Sequence, residues 1–227
     1  MKTLPPRHPN GFTLIELLIA VALLAILALL VAGTTHSVLE SSRRVKCVNR
    51  LRQITTAYLA MTVEHGGKMD TFRSGTGDYE DMWNRQLVKG GYITDLWLFV
   101  CPSTKPPAGY DPYSTYSWSW TSYGLNMVKP AEAVSKNGGR FKVNYRNIEE
   151  PSQYFLIADT VRLPQRVGSH RITSFAPTSH GIYLAHGGRM NLSFLDGHIE
   201  SLRGRDLESY GFTHVIDQDF ESTPTRN

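Results

Sequence analysis

Apolar residues fill positions 12–32 with only Thr13 and Glu16 interrupting them (FTLIELLIAVALLAILALLVA). As a helix rising about 1.5 Å per residue, the run reaches across the roughly 30 Å hydrocarbon layer of a membrane. Its single charge, Glu16, costs on the order of 2.5 kcal/mol there unless it is paired, which marks it as a functional position whose partner is expected on another chain. Behind the run, residues 37–64 contain neither proline nor glycine. At 100° per residue Val48, Leu51, Thr55, Tyr58, Leu59 and Thr62 share one face, with Cys47 at its margin and Arg43, Lys46 and Arg50 opposite. Gly66-Gly67 is a stop signal, so the pattern predicts one helix over 12–65, about 80 Å long. The basic stripe reads as a solvated helix face; a surface that meets anionic lipid or acidic neighbours is the alternative.

After the glycines the pattern shortens. A short helix is predicted over 82–88 with Trp83, Leu87 and Val88 turned inward, and an apolar run over 96–100 ends at Cys101-Pro102-Ser103, where proline stops a central strand. Tyr113, Tyr116, Trp118, Trp120 and Tyr123 partly alternate and read as core and edge packing, with stacking on sugars or bases as the alternative. Strands are predicted over 141–145 and over 154–158, just before Asp159, and residues 162–181 read as a long connection. The sharpest short-range signal lies at 189–202, where two alternating runs flank Asp196-Gly197 and predict a hairpin with a two-residue type I′ turn. Residues 206–227 read as one helical turn followed by a polar tail. Together these elements predict an α+β fold. Residues 12–33 form the apolar helix, residues 34–65 its amphipathic continuation, and residues 66–227 a globular head with a small antiparallel sheet on which the helix packs.

A length of 227 residues suits one domain with appendages. Of the formal charge of +4, Lys2 and Arg7 supply two, and the remainder is too mild to imply nucleic acid as a partner. The chain has no Gly-x-Ser-x-Gly, no His-Glu-x-x-His, no phosphate-binding glycine loop and no Cys-x-x-Cys. Neither an enzyme nor a cofactor is expected.

The N-terminus resembles that of type IV pilins and of type II secretion pseudopilins. The match consists of a Gly11-Phe12 junction, then Thr13-Leu14-Ile15, with Glu16 as fifth residue of the processed chain and a long apolar helix directly behind. The resemblance implies that residues 1–11 are a leader cut after Gly11 by a prepilin peptidase and that the new N-terminal Phe12 is methylated. It also implies that Glu16 neutralises the α-amino group of a neighbouring subunit's Phe12 during assembly. The localisation it implies is the bacterial inner membrane, crossed once, with the head in the periplasm or on a filament. An ordinary signal peptide, with Lys2 and Arg7 as its basic region, is the alternative; against it, the run exceeds the usual 7 to 15 residues and carries an acid. Five cations lie between residues 43 and 52 against two in the leader, so charge alone does not set the orientation, which rests on the resemblance. At the other end His186, nine residues, then Asp196-Gly197 resembles the C-terminal signature of a bacterial family of pilin-like proteins. Cys47-Val-Asn-Arg-Leu-Arg-Gln-Ile, Cys101-Pro-Ser, Ser122-Tyr-Gly-Leu-Asn126 and the segment from Pro151 to Asp159 agree with it. The expected function is that of a subunit of a secretion pseudopilus or a type IV pilus-like filament, with other pilin-like subunits, prepilin peptidase and the inner membrane as partners. The alternative is a membrane-tethered binding module for a glycan, a nucleic acid or a secreted protein, without polymerisation.

Two cysteines in a chain expected to be exported read as a Cys47–Cys101 disulfide, with two unpaired buried thiols as the alternative. Closing so long a loop is worth on the order of 4 kcal/mol by chain entropy. His186, Asp196 and His198, with Asp159 or His180 as further candidates, are weighed as metal ligands, since zinc needs three or four converging groups and calcium more oxygens. The simpler expectation is no metal, with Asp196 shaping its turn and His186 bonded to a carbonyl.

Overall fold

A computed structural model describes residues 12–73, 82–104, 106, 108–114, 120–127, 134–137, 140–163, 165–172 and 180–225. The expected leader with Gly11, the aromatic positions Tyr116 and Trp118, and residues 173–179 of the long connection lie outside the described residues. Two compact units divide the chain at residues 1–39 and 40–227. Helix α1 (Leu14–Glu64) is the long helix expected from the pattern.

In the first unit the described side chains of α1 show no sheltered face. Every side chain described between residues 12 and 29 is exposed, including Phe12, Ile15, Leu18 and Leu24. A helix apolar on all sides has no stable place in water alone. Among the described residues no helix is long and apolar enough to cross a membrane; the side chains described here end at Leu29, three residues short of the end of the run in the sequence.

In the second unit α1 buries a stripe of Cys47, Leu51, Ile54, Tyr58 and Met61, whose spacings of four and three keep one helical face inward. Cys47 is therefore central to the stripe rather than marginal, and Ile54 belongs to it while Val48 and Leu59 are half-buried. Arg50 also departs from expectation: its guanidinium donates to the Val100 carbonyl, whereas Arg43 and Lys46 are exposed. The helix ends where Gly66 and Gly67 take φ of 64° and 80°, and the Gly67 N–H returns to the Thr62 carbonyl at 2.8 Å, a Schellman closure.

The head follows as β1 (Lys68–Arg73), α2 (Trp83–Lys89), β2 (Tyr123–Asn126), β3 (Val134–Asn137), β4 (Arg140–Asn144), β5 (Phe155–Arg162), β6 (Arg171–Ile172), β7 (His180–Ile182), β8 (Arg189–Phe194), β9 (Ile199–Arg203), β10 (His214–Ile216) and β11 (Ser222–Pro224). The main sheet runs β6-β2-β5-β8-β9, with β7 also paired to β5. It is antiparallel except for the β2–β6 pair. A second sheet orders β1-β4-β3, and β10 pairs with β11.

Strand β5 is buried along almost its whole length and separates two cores. One joins the α1 stripe to Trp83, Leu87, Phe99, Tyr123 and Ile157; the other gathers Phe155, Ala158, Leu192, Phe194, Phe212 and Val215. Aromatic edges lock the first core, with Trp83 5.9 Å from both Tyr58 and Phe99 and the Trp83 indole N–H on the His170 carbonyl at 2.6 Å. Phe212, Val215 and Ile216 are buried, so the C-terminal segment is a packed hairpin rather than a polar tail. Its strands of three residues are too short for periodicity to register.

The β8–β9 hairpin forms as predicted, with a different turn. Gly197 donates to the Phe194 carbonyl and Phe194 to that of His198, each at 2.9 Å. Gly197 takes φ 91° while Asp196 is not among the positive-φ residues. This is a three-residue loop closed by a left-handed glycine, not a type I′ turn, which needs positive φ at both central positions.

Gly168 packs against the β2 side of the sheet so closely that a Cβ there would lie 2.2 Å from the Thr121 carbonyl oxygen. Gly168→Ala is expected to lower stability by about 1–3 kcal/mol, as overpacking does against rigid backbone, read from the denaturation midpoint of the purified chain.

Candidate functional site

Two places carry chemistry. At the start of α1, Thr13 and Glu16 form a reciprocal cap. The Thr13 N–H and hydroxyl each donate to Glu16 Oε2 at 2.8 Å, and the Glu16 N–H donates to Thr13 Oγ1 at 3.3 Å. That is a capping box, in which the first and fourth residues satisfy each other's orphan groups. Its signal, Thr-x-x-Glu ahead of an apolar run, was present in the sequence beside the assembly role expected of Glu16. Phe12 stands exposed in front of it.

The second place lies inside the head, where four elements deliver Cys47, Cys101, Asp159 and His186. Their ligating atoms all lie within 4.8 Å of one another, and none of the four residues is more than 3% exposed. Cys47 comes from the inward stripe of α1. Cys101 follows a 3-10 helix (Leu96–Phe99) that Asp95 caps by accepting from the Trp97 N–H, and its carbonyl takes the Thr104 N–H at 3.0 Å. Asp159 sits within β5, beyond Ile157 on the same side of the strand. His186 opens the turn into β8, where its N–H donates to the Arg189 carbonyl at 2.9 Å and the Arg189 N–H returns at 3.3 Å. Gly187 and Gly188 inside that turn take φ of 62° and 77°, which side chains with a Cβ resist. The double-glycine turn therefore fixes the imidazole's starting point.

The Cys47 thiol donates to Asp159 Oδ1 at 3.3 Å and meets the Tyr123 hydroxyl at 3.0 Å. Cys101 Sγ lies 3.4 Å from His186 Nε2, and that nitrogen lies 3.4 Å from Asp159 Oδ2. Asn191 donates to Asp159 Oδ2 through its backbone N–H at 2.8 Å and its side-chain amide at 3.2 Å. On the far side of the ring, Ser103 Oγ lies 3.1 Å from His186 Nδ1 and donates to Glu40 Oε1 at 3.1 Å. Because Ser103 spends its proton on Glu40, Nδ1 is the nitrogen that donates to it.

Burial pushes the Cys47 thiol well above the usual range, reinforced by Cys101 and the Asp159 carboxylate. Burial opposes ionisation of Cys101 too, but hydrogen bonds from Cys47 and His186 outweigh it and bring that thiol down to about 7. Burial alone would lower His186; contacts with Asp159 and Cys101 override it and lift the imidazole to about 10. The set can hold a proton between acid and imidazole, join its sulfurs, or ligate a metal ion. With every member buried, it offers no face to a large substrate.

The structure thus sorts the expected site residues. Cys47 and Cys101 meet, as a disulfide requires, but both are free thiols. Of the groups weighed as ligands, His186 joins Asp159, while Asp196 and His198 pair with each other at 2.5 Å in the exposed β8–β9 loop. Between His186 and Asp196-Gly197 lies β8, 6 residues long, which at about 3.4 Å per residue sets its two ends roughly 17 Å apart. His180 stands elsewhere, 2.8 Å from Ser169 Oγ. Sequence reasoning missed that the cysteines and the His–Asp pair are one cluster. A signal existed in Asp159, an acid within an apolar run that reads as a buried strand.

Residues 6–32 match the prokaryotic N-terminal methylation motif. No curated protein and no solved structure matches the chain. The motif supports a pilin-like chain processed by prepilin peptidase, with a membrane-anchored N-terminus.

His180 is held down to about 4 by burial first and then by the Arg171 and Arg162 guanidinia. Between pH 4 and its ordinary value near 6.5 the unfolded chain binds a proton that the folded chain refuses. Its contribution to stability is therefore complete above about pH 6.5 and is lost as pH falls toward 4. The thermal midpoint is expected to fall across that window, and His180→Asn is expected to flatten the slope.

Proposed function

We propose that this chain is a membrane-anchored subunit of a pilin-like filament, either a type II secretion pseudopilus or a type IV pilus-like fibre. Cleavage after Gly11 frees the Phe12 amino group, which is then methylated. The observation that carries the reading is a helix with apolar side chains exposed on every side over residues 12–29, within the stretch that matches the methylation motif. Such a surface is sheltered by lipid before assembly and by neighbouring helices after it. Residues 40–227 then form the periplasmic head carried by the filament.

The capping box gives the reading a mechanism. In a single chain the Glu16 carboxylate is held by Thr13, which keeps an acid satisfied where water is scarce. On assembly the α-amino group of a neighbouring Phe12 offers a full positive charge in place of neutral donors, which adds a charge–charge attraction that is strongest away from water. The exchange draws subunits into one register without leaving a bare charge in lipid.

A second reading, a tethered binder that does not polymerise, draws support from a cavity of about 250 Å3 lined by Thr104, Arg166, Val167, Tyr183, Gln218 and Phe220. The Arg166 guanidinium lies 5.1 Å over the Phe220 ring there. The two readings part on one substitution. Glu16→Gln is expected to abolish assembly while the chain remains in the membrane fraction, and mass spectrometry of the wild type is expected to find methylated Phe12 at the N-terminus. Assembly at wild-type level in Glu16→Gln favours the tethered binder, and a mature chain starting elsewhere overturns both the processing and the register.

A further inference from the structure

We propose that Cys47, Cys101, Asp159 and His186 form a structural zinc site that ties α1 to the sheet of the head. This goes beyond the filament reading and does not rest on it. The donor set is the first reason. Two thiolates, one imidazole and one carboxylate make four ligands of the kinds zinc takes, whereas calcium and magnesium need several oxygens. The burial is the second. All four are closed off from solvent, which suits a structural site with four protein ligands and leaves no open position for catalysis.

Geometry is the third reason. Ligands about 2.0–2.3 Å from a tetrahedral zinc stand about 3.3–3.8 Å from one another. Cys47 Sγ and Asp159 Oδ1 are 3.3 Å apart, Cys101 Sγ and His186 Nε2 are 3.4 Å apart, and the whole set lies within 4.8 Å.

The surroundings of the four ligands complete the argument. A histidine that binds zinc usually donates its other N–H to a carboxylate or similar group, which fixes the tautomer. His186 does so: Nδ1 faces Ser103 Oγ at 3.1 Å and Glu40 Oε1 at 3.4 Å, which leaves Nε2 aimed into the cluster. Asn191 holds Asp159 Oδ2 with two N–H groups and leaves Oδ1 for the metal. The Tyr123 hydroxyl stands by the Cys47 sulfur, placed to donate to a thiolate. Binding makes two Zn–S bonds and releases to solvent the protons held by the two sulfurs and by His186 Nε2, so that His186 binds as neutral imidazole and Asp159 as carboxylate. A Cys47–Cys101 disulfide would use only the sulfurs and leave the converging imidazole and acid without a task.

The test uses the full chain purified in detergent without a polyhistidine tag. Elemental mass spectrometry is expected to find about one zinc per chain, and a chelator such as phenanthroline is expected to remove it and lower the thermal midpoint, because metal affinity is coupled to folding. Refilling with cobalt(II) is expected to give sulfur-to-cobalt charge-transfer absorption and the visible bands of a tetrahedral ion. The double variant Cys47→Ser, Cys101→Ser is expected to lose the metal, and Glu40→Gln to weaken zinc affinity by about 10-fold through the histidine. If the double variant does not fold, the cobalt spectrum of the wild type decides alone. The proposal is overturned by a wild-type chain without zinc, by a Cys47–Cys101 disulfide in a non-reducing peptide map, by full zinc occupancy in the folded double variant, or by cobalt binding without the thiolate band.

Discussion

The second half of α1 lays one stripe, from Cys47 to Met61, against a head whose central strand β5 is buried on both sides. A strand so placed has to find apolar cover on two faces. The helix with α2 and the aromatic cluster supplies one cover, and the hairpins β8–β9 and β10–β11 with their neighbours supply the other. Each fully buried large side chain on these faces contributes about 1.5–3 kcal/mol by leaving water. Trp83, Tyr58, Tyr123, Phe99, Phe194 and Phe212 are the largest of them. What holds the helix also positions everything the head carries.

The polar cluster sits on that same contact, and its location explains its completeness. An unpaired charge in such a place is destabilising enough that buried ionisable groups persist only with partners. Here Asp159 receives two donors from Asn191 and a thiol from Cys47, while His186 is bonded at both ring nitrogens. Four segments far apart in the chain must all be docked before the full set of these bonds exists. The cluster therefore reports the finished fold, and it joins the helix to the sheet by polar contacts as well as by packing.

The first half of α1 presents a different surface. Apart from Thr13 and Glu16 its side chains over residues 12–29 are apolar, and all of them are exposed, while Thr13 and Glu16 answer each other's polar groups at the helix start. The helix thus carries two kinds of surface in succession, and the change shows in the sequence as the point where the apolar run gives way to a stripe.

Local and periodic features were legible without coordinates. The span of α1, its glycine stop, the short helix α2, strands at β4, β5 and β8–β9, and the processing motif around Gly11, Phe12 and Glu16 all rest on neighbours within a few residues, where spacing and side-chain type decide. Cys47 at the centre of the stripe, Arg50 turned to a carbonyl, the loop at Asp196-Gly197 and the packed C-terminal hairpin depend on what lies opposite in space. So does the meeting of Cys47, Cys101, Asp159 and His186. Sequence patterns carry the period of an element but not which elements dock, because docking is set by the summed burial of faces that are distant along the chain. For that reason the residues were readable as candidates one by one, and only the tertiary packing made four of them a site.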